Sequence, residues 1–88
     1  VVQYAVLVHM MAQVSGLEAG ELVHVIADCH IYDRHVPLVE KMLENPSYPA
    51  PKFVMDKAVT DFYDFTVDSF RMEDYRFAPF DEKIPVAI

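Results

Sequence analysis

The chain is short of glycine, cysteine and bases, and it has no apolar run long enough to cross a membrane. Only two glycines occur in 88 residues, and neither an internal repeat nor a low-complexity tract is visible. The single cysteine, Cys29, cannot close an internal disulfide, so a reducing compartment is the default expectation. Seven Lys and Arg, scattered against fourteen acids, give a net charge of −7. This balance argues against a nucleic-acid backbone as partner, because phosphate contacts need clustered cations. The apolar opening, VVQYAVLVHMMAQV, is fourteen residues, with neither a basic n-region nor a small-residue cleavage site. It fits neither a membrane span nor a signal peptide.

What is present is apolar side chain, at 53 % of residues. A chain of this length makes one small domain at most and buries only about 60–65 % of its unfolded surface. The surplus therefore points to a piece of a larger core or to an oligomer interface. Two further features agree. The chain opens inside a hydrophobic run without a methionine, as a cut chain would, and Lys83-Ile84-Pro85-Val86-Ala87-Ile88 finishes apolar rather than solvated. That tail is expected to dock.

Val1 to Ser15 carries apolar side chains almost all round and reads as a buried helix, with Gly16 as its C′ residue. After a turn at Leu17 to Gly20, the period of two in Glu21 to Tyr32 predicts a long strand. Val23, Val25, Ala27, Cys29 and Ile31 share one face; Leu22, His24, Ile26, Asp28, His30 and Tyr32 share the other. Pro37 to Glu44 is a short amphipathic helix stopped by Asn45-Pro46, presenting Leu38, Val39, Met42 and Leu43. Ser47 to Pro51 is an extended connector and Lys52 to Met55 a short strand. Thr60 to Ser69 reads as irregular turns anchored by Phe62, Phe65 and Phe70, Met72 to Phe77 as a last short strand, and Ala78 to Lys83 as loop. The class is α/β in the α+β sense, with a buried helix, a long strand, a short amphipathic helix and short strands.

Chemistry concentrates in Asp28-Cys29-His30-Ile31-Tyr32-Asp33-Arg34-His35. A nucleophilic Cys29 would need a base or helix N-terminus beside it, yet the alternation sends it to the face opposite Asp28 and His30. A buried structural thiol is the reading adopted. A metal held by His24, Asp28, His30 and His35 matches no recognised zinc spacing, and no metal is expected. His9 and His24 read as partly buried and satisfied by hydrogen bonds. His30 and Tyr32, at the strand's C-terminal end, could reach into a cleft and bond a small polar ligand. By pattern alone this stands level with a solvated strand face.

Asp28-Cys29-His30-Ile31-Tyr32 with His35 resembles the D-x-H-x-Y-x-x-H stretch of thymidylate synthase. Tyr4 to Ala12 is similar to that family's central helix, Gly16 to Leu22 to the turn after it, Pro49-Ala50-Pro51-Lys52 to its proline-lysine strand entry, and Pro85-Val86-Ala87-Ile88 to its C-terminal tail. The resemblance covers residues 1–88, which would be the C-terminal third of a single thymidylate synthase domain rather than a complete domain.

The resemblance implies a methyltransferase that converts dUMP to dTMP, with methylenetetrahydrofolate giving up both carbon and hydride. It implies that His30, Ile31 and Tyr32 contact dUMP at the deoxyribose, the Ile31 backbone lying between the two side chains. Val86, Ala87 and Ile88 would belong to the tail that closes over the folate. A cytoplasmic homodimer without metal is implied as well, and neither a nucleic-acid polymer nor a membrane is a partner. The family's nucleophilic cysteine, phosphate-binding arginines, folate-ring aspartate and uracil-reading asparagine find no match here, so these 88 residues alone are expected to be catalytically inert. Arg34 stands where the family usually has asparagine and Ala27 where it has glycine. The neighbouring alternatives are a deoxycytidylate hydroxymethylase of the same fold and an inert remnant that acts only in binding.

Overall fold

A computed structural model describes residues 1–86. Its first element, α1 (Val2–Ser15), ends as the sequence requires. Gly16 adopts φ 69°, the left-handed conformation open to glycine. Its N–H donates to the Gln13 carbonyl at 3.2 Å, while the Leu17 N–H donates to that of Ala12 at 2.8 Å. These two bonds form the Schellman closure. No side chain caps the other end, and the first turn holds no acid.

A 3-10 turn at Asp33–His35 leads directly into α2 (Val36–Leu43). Pro37 occupies the first turn of α2, where its missing N–H costs nothing. β1 (Lys52–Met55) and β2 (Phe70–Glu73) pair antiparallel, Phe53 facing Met72 and Met55 facing Phe70. Between the strands, 3-10 turns span Phe62–Asp64 and Val67–Ser69. The second is closed by a reciprocal bond in which the Thr66 N–H donates to Ser69 Oγ at 2.9 Å.

An aromatic ladder is the nearest thing to a core. Phe53 and Phe70, diagonal neighbours on one sheet face, stack with centroids 6.0 Å apart. Phe65 stacks on Phe70 at 5.5 Å, and Phe62 meets Phe65 edge-on at 6.3 Å. His9 leans on Phe53 at 5.1 Å, joining α1 to the sheet. Gln13, a polar interruption in an apolar helix, makes the second joint by donating its amide to the carbonyls of Asp56 at 3.0 Å and Val59 at 2.9 Å. The turns after β1 are thereby tied to α1.

Several expectations change. α1 is a helix but not a buried one, because among the described residues no hydrophobic side chain is buried and only Ser69 falls in that class. The radius of gyration is 17.1 Å, against about 12 Å for a closed domain of this length. The accessible surface is 7851 Å², roughly 2,600 Å² more than a compact monomer of this mass exposes. The long strand over Glu21–Tyr32 does not form. Residues 21–26 are irregular and a turn occupies Ala27 and Asp28. The reason is physical: a strand needs a neighbour to complete its ladder, and β1 with β2 is the only pairing among the described residues. Val23 at 77 % and Val25 at 80 % exposure mark the face left open. The last strand starts two residues earlier than the pattern suggested and stops at Glu73, where Asp74 turns the chain with φ 57°.

Candidate functional site

The turn at Ala27-Asp28 breaks the alternation, and this decides where the chemistry lies. Cys29 is exposed rather than turned into a core. His9 and His24 are exposed too, not partly buried. Among the described residues no group of three or more His, Cys, Asp or Glu gathers to hold a metal ion.

His30, Tyr32 and His35 are brought together. The rings of His30 and Tyr32 meet edge to face at 5.2 Å, and those of Tyr32 and His35 at 5.6 Å. Tyr32 is the shared member, and the 3-10 turn beginning at Asp33 folds His35 back onto it. Asp28 braces the far end, its backbone carbonyl 3.1 Å and its carboxylate 3.4 Å from His30 Nδ1. A carbonyl only accepts, so Nδ1 carries the proton; in the neutral ring Nε2 is left as an acceptor. The Tyr32 hydroxyl can donate or accept. A ligand hydroxyl placed between them could donate to His30 Nε2 and accept from Tyr32. His30, Ile31 and Tyr32 are all exposed, so this is one wall of a site rather than an enclosed pocket.

The tail reaches the same turn. His35 Nε2 donates to the Pro85 carbonyl at 2.6 Å, and Arg34 Nη1 donates to that of Val86 at 3.2 Å. Further back, Lys41 on α2 pairs with Glu82. The Glu82 carboxylate raises the Lys41 pKa above the ordinary lysine value, chiefly through its hydrogen bond and then through its charge. The expected docking of the tail is thus observed as far as Val86; Ala87 and Ile88 lie outside the described residues.

The thymidylate synthase family model matches residues 1–88. The chain belongs to the thymidylate synthase family. A thymidylate synthase of Bacillus mojavensis is 45 % identical over 76 residues, which make up 86 % of this chain and 27 % of that protein. One of Clostridium beijerinckii is 47 % identical over 76 residues, 84 % of this chain and 29 % of that protein. The solved structure of thermostable thymidylate synthase A from Bacillus subtilis superposes with a TM-score of 0.85 at 38 % identity, covering 98 % of this chain and 30 % of that one. The chain therefore has the mixed α/β thymidylate synthase fold, and spans less than a third of the length of these relatives.

Arg34, Lys41 and Glu82 escaped the sequence-based account of the thymidylate synthase segment. Arg34 stood out only as a departure from the family's usual asparagine, and nothing near residue 34 signals that its partner lies fifty-two positions away. Lys41 lay within the expected short helix and Glu82 within the expected loop, and nothing in the pattern singled out either. One cue was available: an apolar chain end needs a seat, and the polar side chains of the turn before α2 are near enough to provide one.

Proposed function

We propose that these residues serve, within a chain of the relatives' length, in the reductive methylation of dUMP to dTMP by methylenetetrahydrofolate. The observation that carries this reading is the family match across residues 1–88, joined to an exposed His30–Tyr32 pair, rings 5.2 Å apart, whose imidazole and phenol are chemically able to bond a sugar hydroxyl. In this scheme the dUMP deoxyribose hydroxyl donates to His30 Nε2 and accepts from Tyr32, with the Ile31 backbone between them. Val86, Ala87 and Ile88 belong to the tail that closes over the folate, excluding water and fixing the reactants. The folate supplies the one-carbon unit and the hydride; this segment binds, orients and covers.

The open apolar face of α1 and residues 21–26 is covered in the whole protein, by the remainder of the fold and by a second copy in a cytoplasmic homodimer. Roughly 2,600 Å² of surplus surface is the size expected when a core is divided. No residue of the described segment is assigned the nucleophile's role, Cys29 included, so the 88 residues alone form no dTMP.

The test is product formation by a full-length chain carrying this segment, supplied with dUMP and methylenetetrahydrofolate. Release of dTMP and dihydrofolate supports the assignment. Turnover of dCMP to its hydroxymethyl product instead would give the protein to the deoxycytidylate hydroxymethylases, and no turnover of either nucleotide would leave a binding remnant.

A further inference from the structure

Residues 82–86 run back along the turn and helix at 34–41. Glu82 meets Lys41, the Pro85 carbonyl accepts from His35 Nε2 at 2.6 Å, and the Val86 carbonyl accepts from Arg34 Nη1 at 3.2 Å. Contact order falls on one segment as it rises on the other, so the tail lies antiparallel to the turn that bears Tyr32 and His35. The last two contacts are to backbone carbonyls. They fix the path of the chain whatever side chains it carries. Pro85 strengthens the effect, since its ring locks φ and biases Ile84 toward an extended backbone. A permanently charged guanidinium with five donors is suited to holding such a carbonyl.

The geometry points to Arg34 and His35 as positioning residues for the folate-closing tail, Arg34 setting the Val86 carbonyl and His35 that of Pro85; this rests on the thymidylate synthase reading above. Neither residue touches the reacting atoms. The Tyr32–His35 ring contact at 5.6 Å also joins the tail's seat to the pair assigned to the ribose. Arg34, with no ring contact to that pair, is the member whose removal should affect the tail alone.

The experiment uses the full-length chain with Arg34→Ala, Arg34→Gln and Arg34→Lys, reading KM for methylenetetrahydrofolate, dUMP affinity in the binary complex, and the rate at which carboxypeptidase releases the terminal residues. Arg34→Ala and Arg34→Gln are expected to raise the folate KM roughly three- to tenfold, the fold-change carried by one net hydrogen bond. Both should speed terminal release and leave dUMP affinity unchanged, while Arg34→Lys, which keeps a charged donor, recovers most of the loss. Arg34 is exposed, so its truncation leaves no buried void. An unchanged folate KM with unchanged release in an active enzyme overturns the inference alone. A parallel fall in dUMP affinity and thermal stability also overturns it, as the mark of a merely structural role. If the unmodified full-length chain forms no dTMP, the functional reading fails first and carries the inference with it.

Discussion

Gln13 on α1 reaches across forty-six positions to donate to the Val59 carbonyl at 2.9 Å, and the same amide nitrogen also serves the Asp56 carbonyl. One side chain thus satisfies two backbone acceptors in the turns after β1, where neither has a ladder to join. Gln13→Leu keeps the bulk and removes both donors. In the full-length chain this substitution should cost about 0.5–1.5 kcal/mol of stability, the worth of one net hydrogen bond, because only the Val59 bond is partly buried while the Asp56 carbonyl is exposed and still accepts from the Val59 N–H at 3.4 Å. Urea unfolding of the two proteins side by side measures it, and a difference within error would mean that water replaces the amide.

The two glycines should respond differently to alanine. Gly16 holds φ 69° with nothing within 4 Å of an added Cβ, so the only cost of Gly16→Ala is conformational. That cost is about 1–2 kcal/mol. Gly20 also has open space around it but no positive φ, and Gly20→Ala should be neutral or slightly stabilising by restricting the unfolded chain. Thermal melts of both variants of the full-length chain decide the matter, and equal shifts would contradict the left-handed helix ending at Gly16.

Much of this fold was legible because the deciding forces are local. Gly16 closes α1 through its own backbone freedom, Asn45-Pro46 stops α2, and Phe62, Phe65 and Phe70 anchor the turns as their spacing suggests. The long strand at Glu21–Tyr32 was illegible for the opposite reason. Alternation records a preference for being half-buried, while the ladder itself depends on a partner that residues 1–86 do not provide. Cys29 went astray with it because its assigned face depended on the alternation continuing past Ala27, and His24 because residues 21–26 form no strand to shelter it. His30 with Tyr32 could be found by pattern, but His35's contact with the tail needed both the 3-10 turn and a carbonyl fifty residues away.

Tyr32→Phe separates the hydroxyl from the ring. The edge-to-face contacts with His30 and His35 survive the change, so folding should be unaltered, while dUMP binding by the full-length chain weakens roughly three- to tenfold for one lost hydrogen bond. A dUMP analogue lacking the deoxyribose hydroxyl sharpens the test. The unmodified chain should prefer dUMP over the analogue, and Tyr32→Phe should narrow that preference, because protein and ligand then lose the same interaction. Equal preference in both proteins would remove Tyr32 from the ribose contact.

Lys41 offers a pH signature of the docked tail. Its pKa is raised by the hydrogen bond and charge of Glu82, so the contact is fully present below the ordinary lysine value and is lost as pH climbs through the raised one. NMR of the Lys41 ε-carbon in the full-length chain should show a midpoint above 10.5. In Glu82→Gln the midpoint should fall back, and about 1 M salt should shrink the shift because both groups are exposed and screened. A midpoint indifferent to Glu82→Gln would mean that the tail leaves α2 in solution.

The 88 residues by themselves should neither unfold cooperatively nor form dTMP. Cooperative unfolding requires a core that is lost all at once, and no hydrophobic side chain among the described residues is buried. α1 spans 14 residues without a side-chain N-cap, near the length at which isolated helices are marginal in water. The aromatic ladder and the Gln13 bonds tie α1 to a two-stranded sheet, itself too small to stand alone. Heating a chain verified by intact mass to hold just these residues should therefore give a shallow, featureless loss of helical circular dichroism, with no calorimetric peak. Adding dUMP and methylenetetrahydrofolate should yield no product, because even on the proposed reading the segment offers ribose contacts and a closing tail but no assigned nucleophile or phosphate clamp. A sharp calorimetric transition would show that the segment closes a core of its own, by self-association or rearrangement, and turnover would place the nucleophile within it.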